Sequence, residues 1–315
     1  MALVTGGAGF VGSHLTDRLV ADGWSVRVLD DFSSGRERNL ERCAGSAEVV
    51  RGDLRDESLL DKALRDVEVV FHQAAVPSVP RSVAEPLRTN DVNVTGTLRL
   101  LEAARRAEVR RVVFAASSSA YGDTPELPKV ESMPANPRSP YALQKFAGEV
   151  YCRLYTSLYG LETVALRYFN VFGPRQDPDS EYAAVIPKFV KACLTEAPPC
   201  IYGDGEQTRD FTFVRDVVRA NLLAADSRDA VGTVVNVAGG ERISLNRLLA
   251  HVKEITGSKV EAVRAAPRPG DVRDSLADLR RAAELLGYKP AVEVRQGLLE
   301  TIDYFRKVLE GAAAG

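Results

Sequence analysis

Tyr141 and Lys145 stand one helical turn apart in Tyr141-Ala142-Leu143-Gln144-Lys145, downstream of the run Ser117-Ser118-Ser119. A phenol with an ordinary pKa near ~10 is a poor base at neutral pH. A cation on the same helix face favours the phenolate and lowers that value. A serine hydroxyl nearby can pass a proton between an alcohol and the phenolate. Together the three side chains suit removal of a proton from an alcohol while hydride leaves its carbon. Alone, Tyr-x-x-x-Lys is most often a chance surface pair, so this chemistry requires a hydride acceptor elsewhere in the chain.

The N-terminus supplies a place for one. Ala2-Leu3-Val4-Thr5 reads as a short buried strand, and Gly6-Gly7-Ala8-Gly9-Phe10-Val11-Gly12 follows it. Apolar residues at Phe10, Val11, Leu15, Leu19 and Val20 predict a helix over 10–21, stopped near Gly23. A second strand over 25–29 ends at Asp30-Asp31. Glycines between a strand and a helix, with an acidic residue closing the next strand, form a dinucleotide-binding pattern. Gly6 permits the tight turn, Gly9 lets the pyrophosphate approach, and Gly12 lets helix and strand pack. Phe10 and Val11 begin the helix whose N-terminus faces the phosphates. The spacing is Gly-x-x-Gly-x-x-Gly. Asp30 can accept both adenosine ribose hydroxyls and repels a 2′-phosphate, which favours NAD over NADP. Arg36 nearby counts the other way. Asp31, Ser33, Ser34 and Gly35 read either as cofactor contacts or as an ordinary polar turn.

These residues need a scaffold that gathers them. Strand-like stretches at 48–51, 67–71, 111–116 and 163–166 alternate with helical ones at 57–64, 92–107 and 140–158. The alternation predicts an α/β fold, a Rossmann-like doubly wound parallel sheet. Ligands gather at the C-terminal strand ends of such sheets. Asp53, Ala74, Ser117 and Asn170 all follow predicted strands, and Ala75 adjoins Ala74. Beyond Asn170 the segments shorten and proline and glycine punctuate them. Helices are expected at 182–197, 213–225, 244–256, 280–286 and 291–309, and strands at 201–202 and 234–237. The expected organisation is an NAD-binding domain over 1–169, rejoined by a segment near 211–228. A smaller α/β substrate domain spans 170–315. No internal repeat or long linker separates them, so the cleft between them is the expected binding site.

The 315 residues suffice for one large or two modest domains. With 45% hydrophobic and 27% charged residues the composition is that of a soluble globular protein. A net charge of −2 points to no nucleic-acid or membrane-surface partner. No apolar run is long enough to span a bilayer. The opening apolar stretch passes straight into glycines, unlike a secretory leader. Cys43, Cys152, Cys193 and Cys200 have neither zinc-site nor Cys-x-x-Cys spacing. That predicts reduced thiols in a cytoplasmic protein. His14, His72 and His251 are far apart in sequence, so neither a metal site nor a Ser-His-Asp triad is expected.

The ordered set of motifs resembles the extended short-chain dehydrogenase/reductase family, and within it the UDP-hexose 4-epimerases. The similarity runs from Thr5-Gly6-Gly7-Ala8-Gly9-Phe10-Val11-Gly12 through Gly52-Asp53-Leu54, His72-Gln73-Ala74-Ala75 and Asn93-Val94-Thr95-Gly96-Thr97. It continues through Ser117 to Gly122, Ser139 to Lys145, and Arg167-Tyr168-Phe169-Asn170-Val171-Phe172-Gly173-Pro174. Tyr202 to Phe211 and Arg268-Pro269-Gly270-Asp271 complete it. The resemblance implies that Asp53 and Leu54 approach the adenine, that Ala74 and Asn93 line the cofactor path, and that Lys145 holds the nicotinamide ribose. It implies sugar-nucleotide contacts from Asn170, Arg209, Arg268 and Asp271, and a substrate-facing role for Val185, Ile186, Tyr202 and Gln207. Arginine's rigid fork suits a diphosphate. The resemblance also implies a homodimer built on the helices at 92–107 and 140–158, although their apolar faces suit an intrachain core equally well.

Within the serine run, counting back from Tyr121-Gly122 puts Ser117 at the family's proton-relay position. Ser118 and Ser119 then fall where the related 4,6-dehydratases carry an aspartate and a glutamate. Two hydroxyls cannot replace those carboxylates in elimination chemistry. They are left as substrate contacts, with Ser118 as an alternative relay. Ser275, the fourth residue after Asp271, falls where the epimerases line the pocket near the sugar. A small residue there leaves room for a 2-acetamido group.

The expected activity is NAD-dependent 4-epimerisation of a UDP-hexose through a 4-keto sugar, with Ser117, Tyr141 and Lys145 as the catalytic set. UDP-glucose and UDP-galactose are the expected pair, with the N-acetyl forms also admitted. The competing readings are a UDP-uronate 4-epimerase with Arg175 against the carboxylate, a net dehydrogenase or reductase, and a non-catalytic NAD sensor.

Overall fold

The computed structural model describes residues 1–178, 184–266 and 272–313. Strands and helices alternate through the first half: β1 (Ala2–Thr5), α1 (Phe10–Ala21), β2 (Val26–Asp30), β3 (Ala47–Arg51), α2 (Glu57–Ala63) and β4 (Val69–His72). Two short helices, α3 (Val79–Ala84) and α4 (Pro86–Asn90), precede α5 (Gly96–Arg106), β5 (Arg111–Ser117), α6 (Pro140–Tyr159) and β6 (Glu162–Tyr168). The second half holds β7 (Val171–Phe172), α7 (Val185–Leu194), β8 (Cys200–Tyr202), β9 (Thr208–Asp210), β10 (Thr212–Phe213) and α8 (Val214–Asp226). It ends with β11 (Thr233–Val237), β12 (Arg242–Ser244), α9 (Leu245–Thr256), β13 (Val263–Ala265), α10 (Arg280–Leu286) and α11 (Val294–Ala313).

Seven strands form one parallel sheet in the order β3-β2-β1-β4-β5-β6-β11. This is the doubly wound arrangement expected from the alternation. Its order reverses between β1 and β4, and a crevice opens at that switch point. Both faces are covered, so strand residues alternate between two apolar layers. Val69 and Phe71 pack with Leu15 and Leu19 of α1 and Val217 of α8. Val70 packs on the other face with Leu60 of α2 and Leu100 of α5.

The domain division departs from the expectation in one respect. Strand β11 pairs with β6 inside the main sheet, so the returning segment extends well past residue 228. Ala282 and Leu286 of α10 pack in the same layer as α8. The remaining second-half helices, α7, α9 and α11, share a separate core with Phe172, Ile201 and Phe211. The helix expected at 182–197 is shorter, Val185–Leu194, with 179–183 outside the described residues.

Helix α6 carries Tyr141 and Lys145, and its position is over-determined. Ser139 caps it by accepting from the Ala142 amide at 3.2 Å, and Pro140 occupies the first turn, where no N–H is needed. Gly160 ends it at φ 74°. The Tyr141 amide, an orphan donor of the first turn, donates to Ser82 Oγ of α3 at 3.0 Å. Deeper along the helix, Glu149 accepts two bonds from Arg167 of β6, at 2.7 and 2.9 Å, with both side chains buried. The Arg167 guanidinium also lies over the Tyr121 ring, 4.5 Å from its centroid. A buried pair of this kind is costly to break one partner at a time. Glu149→Ala is expected to lower unfolding stability by ~3–5 kcal/mol, measured as a denaturant midpoint shift. Glu149→Leu combined with Arg167→Met should cost much less. Equal losses in the two variants would show that the pair does not carry this charge penalty.

Candidate active site

One cleft of about 920 Å³ runs along the C-terminal ends of the strands and collects most of the expected residues. Its floor is the glycine loop. Gly6 has φ +67°, and a Cβ there would stand 2.7 Å from the Ala74 amide nitrogen. A Cβ on Gly12 would stand 2.1 Å from Gly6 O. The loop therefore brings its backbone to the cleft as only glycine allows. Helix α1 starts here with no side-chain cap and no acidic residue in its first turn. Its N-terminal amides meet a cleft lined by Gly9, Phe10 and Val11. That end fits a diphosphate.

Asp30 closes β2 beside the loop. Its carboxylate accepts from the amides of Ala8 and Phe32, each at 2.8 Å. Burial raises its pKa, and these two bonds oppose the rise. The carboxylate lines the cleft and can accept ribose hydroxyls there. Asp31, Ser33 and Ser34 also line it, with Asp31 accepting from the Ser33 amide and hydroxyl. Gly35 is a spacer: a Cβ there would meet the Asp30 carboxylate at 2.7 Å. Asp53 and Leu54 line the wall beyond, and the Arg55 hydrogen bond holds the Asp53 carboxyl below its usual range. Ala74 and Ala75 complete this half.

Asn93 departs from its expected place on the cofactor path. It is buried behind the wall, accepting from the Val76 amide at 2.8 Å and donating to Gln144 Oε1 at 2.8 Å. It ties the Val76 loop to α6 through the residue preceding Lys145.

Ser117, Tyr141 and Lys145 meet in the cleft, but their couplings differ from the expectation. Lys145 is buried and donates to Ala115 O at 2.8 Å, with its ammonium 5.1 Å from the Phe114 ring centroid. Burial brings its pKa down to about 8. Tyr141 moves the other way: burial pushes its phenol up to about 12, and a hydrogen bond with Ser117 offsets part of the rise. Helical spacing placed the lysine on the right face without fixing its partner. Ser117 Oγ accepts from the Ser119 amide at 3.2 Å and from Ser119 Oγ at 2.8 Å. Its own proton is left for the phenol. Ser118 and Ser119 line the cleft alongside.

Asn170, Arg209 and Ser275 converge at the other end of the cleft. Asn170 adopts φ 31°, a left-handed conformation asparagine tolerates, and donates to Asp210 O at 2.9 Å and Ser275 Oγ at 3.2 Å. Arg209 donates to the carbonyls of Thr208 and Arg273. Four expected substrate contacts lie elsewhere. Ile186 is buried in the second-half core, with Val185 packed against it, and Ala184 lines the cleft in their place. Gln207 is buried and donates to Tyr202 O at 2.7 Å, and neither residue lines the cleft. Arg268 and Asp271 lie outside the described residues. Arg175, the conceivable carboxylate partner, pairs with Asp17 at 2.6 Å and is buried away from the cleft.

The cleft also takes Val79, Pro80 and Val83 from α3, Arg138 ahead of α6, and Asp177. Arg138 was within reach of sequence reasoning, three residues before Tyr141. The α3 residues carried no signal, because Pro80 masks a helix that places it near its start. Among the described residues no cluster of metal-ligating side chains occurs.

The NAD dependent epimerase/dehydratase family model matches residues 2–238. A UDP-glucose 4-epimerase from Mycolicibacterium smegmatis is 45% identical over 308 residues, covering 96% of this chain and 98% of its own. Among solved structures, the UDP-N-acetylglucosamine 4-epimerase of Methanobrevibacter ruminantium, in complex with UDP-N-acetylmuramic acid, superposes with a TM-score of 0.94 at 43% identity. That match covers 98% of each chain. The UDP-glucose 4-epimerase of Thermotoga maritima with UDP-glucose gives a TM-score of 0.94 at 41% identity, covering 98% of this chain and 99% of that one. A glycine cradle after β1, an aspartate closing β2 and a Ser-Tyr-Lys set share one cleft, and the chain belongs to the NAD dependent epimerase/dehydratase family.

Proposed function

We propose that this chain is an NAD-dependent UDP-hexose 4-epimerase that interconverts UDP-glucose and UDP-galactose and also admits the N-acetyl forms. One observation carries the reading: Ser117, Tyr141 and Lys145 line the same cleft as the glycine cradle, with Ser118 and Ser119 alongside them. Gly6, Gly9, Gly12, Asp30 and the start of α1 hold the cofactor. NAD, when bound, would supply the hydride acceptor and return donor.

Tyr141 takes the proton of the sugar 4-hydroxyl, and Ser117 relays it. The 4-keto sugar turns in the cleft, and Tyr141 returns the proton as the opposite face is reduced. Lys145, held at Ala115 O, orients the ribose. Asn170 and Arg209 position the sugar nucleotide. No carboxylate stands at Ser118 or Ser119 to drive elimination. Arg175 is committed to Asp17 and is not available to a uronate.

Helix α6 exposes Leu143, Leu154 and Leu158 at 55%, 43% and 67%. That apolar face suits a second copy, so the enzyme works as a homodimer in the cytoplasm. All four cysteines are free, in keeping with a reducing compartment.

Tyr141→Phe is expected to lower kcat for UDP-galactose by ~10²–10⁴-fold while NAD stays bound. Near-full activity would sink the mechanism. Burial favours the neutral phenol, so in NAD-stripped protein the wild-type minus Tyr141→Phe absorbance titration should show ionisation only near pH 12. A Ser275→Tyr variant should retain turnover of UDP-galactose but lose UDP-N-acetylgalactosamine. Equal turnover of both would remove the pocket argument. Leu154→Glu with Leu158→Glu should convert the protein to a monomer by light scattering. An unchanged mass would place the interface elsewhere.

A further inference from the structure

Among the described residues, three side-chain contacts fasten the loop 173–177 to the cofactor-binding half. His14 donates from Nε2 to Pro174 O at 2.9 Å, and burial brings its pKa down to about 4, so the ring is neutral. Arg175 pairs with Asp17 of α1 at 2.6 Å. Both contacts sit on the far side of the loop, away from the cleft lining. The third contact is different. Arg36 donates from its guanidinium to Asp177 at 2.6 Å, with both side chains partly exposed.

Arg36 emerges directly from the ribose-side turn. Its amide donates to Ala8 O at 3.0 Å, and Gly35 before it packs on the Asp30 carboxylate. Ser33, Ser34, Gln176 and Asp177 all line the cleft. The ion pair therefore ties the turn after Asp30, through Arg36, to a lining residue of the second-half loop, Asp177. The guanidinium is paired with Asp177, which counts against its holding a 2′-phosphate.

We propose that Arg36–Asp177 is a latch that closes the cleft over the adenosine half of the cofactor and sets how slowly it leaves. An epimerase regenerates its cofactor in every cycle and gains nothing by releasing it. The inference rests on the NAD reading for the identity of the cofactor. The pair is half exposed, so its effect is modest and sensitive to salt.

NADH release from the full-length protein, followed by fluorescence in a stopped-flow chase, tests this. Asp177→Asn and Arg36→Gln should each speed release by about two- to five-fold. The double variant should be no faster than either single one, and the exchange Arg36→Asp with Asp177→Arg should restore slow release. Added salt should speed release from the wild type and leave the variants nearly unchanged. Lys307→Gln, which breaks an exposed pair with Asp303 on α11, should release at the wild-type rate. Wild-type release rates in both single variants, or additive effects in the double, would overturn the latch. Failure of the wild type to bind NADH would overturn the cofactor reading as well.

Discussion

Burial of the phenol of Tyr141 and the ammonium of Lys145 in one cleft is the constraint on which the rest of this structure depends. Loss of water drives both groups toward their neutral forms, up to about 12 for the phenol and down to about 8 for the amine. A proton shuttle built this way stays closed until something in the cleft favours the phenolate. The Ser117 hydrogen bond provides part of that, and a cationic cofactor ring would provide more. In the proposed function this couples chemistry to occupancy of the glycine cradle.

That coupling requires accurate placement, and the fold supplies it through buried contacts around α6. Ser82 satisfies the Tyr141 amide, Gln144 links the helix to Asn93, and Arg167 holds Glu149. Each joins α6 to a different neighbour: α3, the wall ahead of α5, and β6. The second half contributes through Asp210. Its carboxylate accepts from the amides of Gly239, Gly240 and Ala277, while its backbone contacts Asn170 and Ser275. Burial raises the Asp210 pKa to about 7, against the pull of those three amides.

The features legible in the sequence were those whose meaning is local. Gly6, Gly9 and Gly12 between a strand and a helix, Asp30 at a strand end, and Tyr141 with Lys145 on one helix turn all follow from short-range geometry. What escaped depended on long-range pairing or side-chain direction. A short apolar strand at 233–237 carries no mark of its partner, and β6 claimed it for the main sheet. Pro80 and Pro86 hid α3 and α4 because proline suits a helix's first turn as well as it breaks the middle. Ile186 and Gln207 lie in recognisable motifs but turn into the core, since a motif fixes position without fixing which way a side chain faces. Ser117 was singled out by register from Tyr121-Gly122, and the structure makes it the cap of the turn at 118–121.

The central claim is that hydride leaves and returns to the same sugar carbon under control of one tyrosine. Incubation of the enzyme with UDP-galactose deuterated at C4 tests it most directly. The account predicts UDP-glucose that retains the deuterium at C4. Label lost to solvent, or a dehydrated or permanently oxidised product, would contradict it.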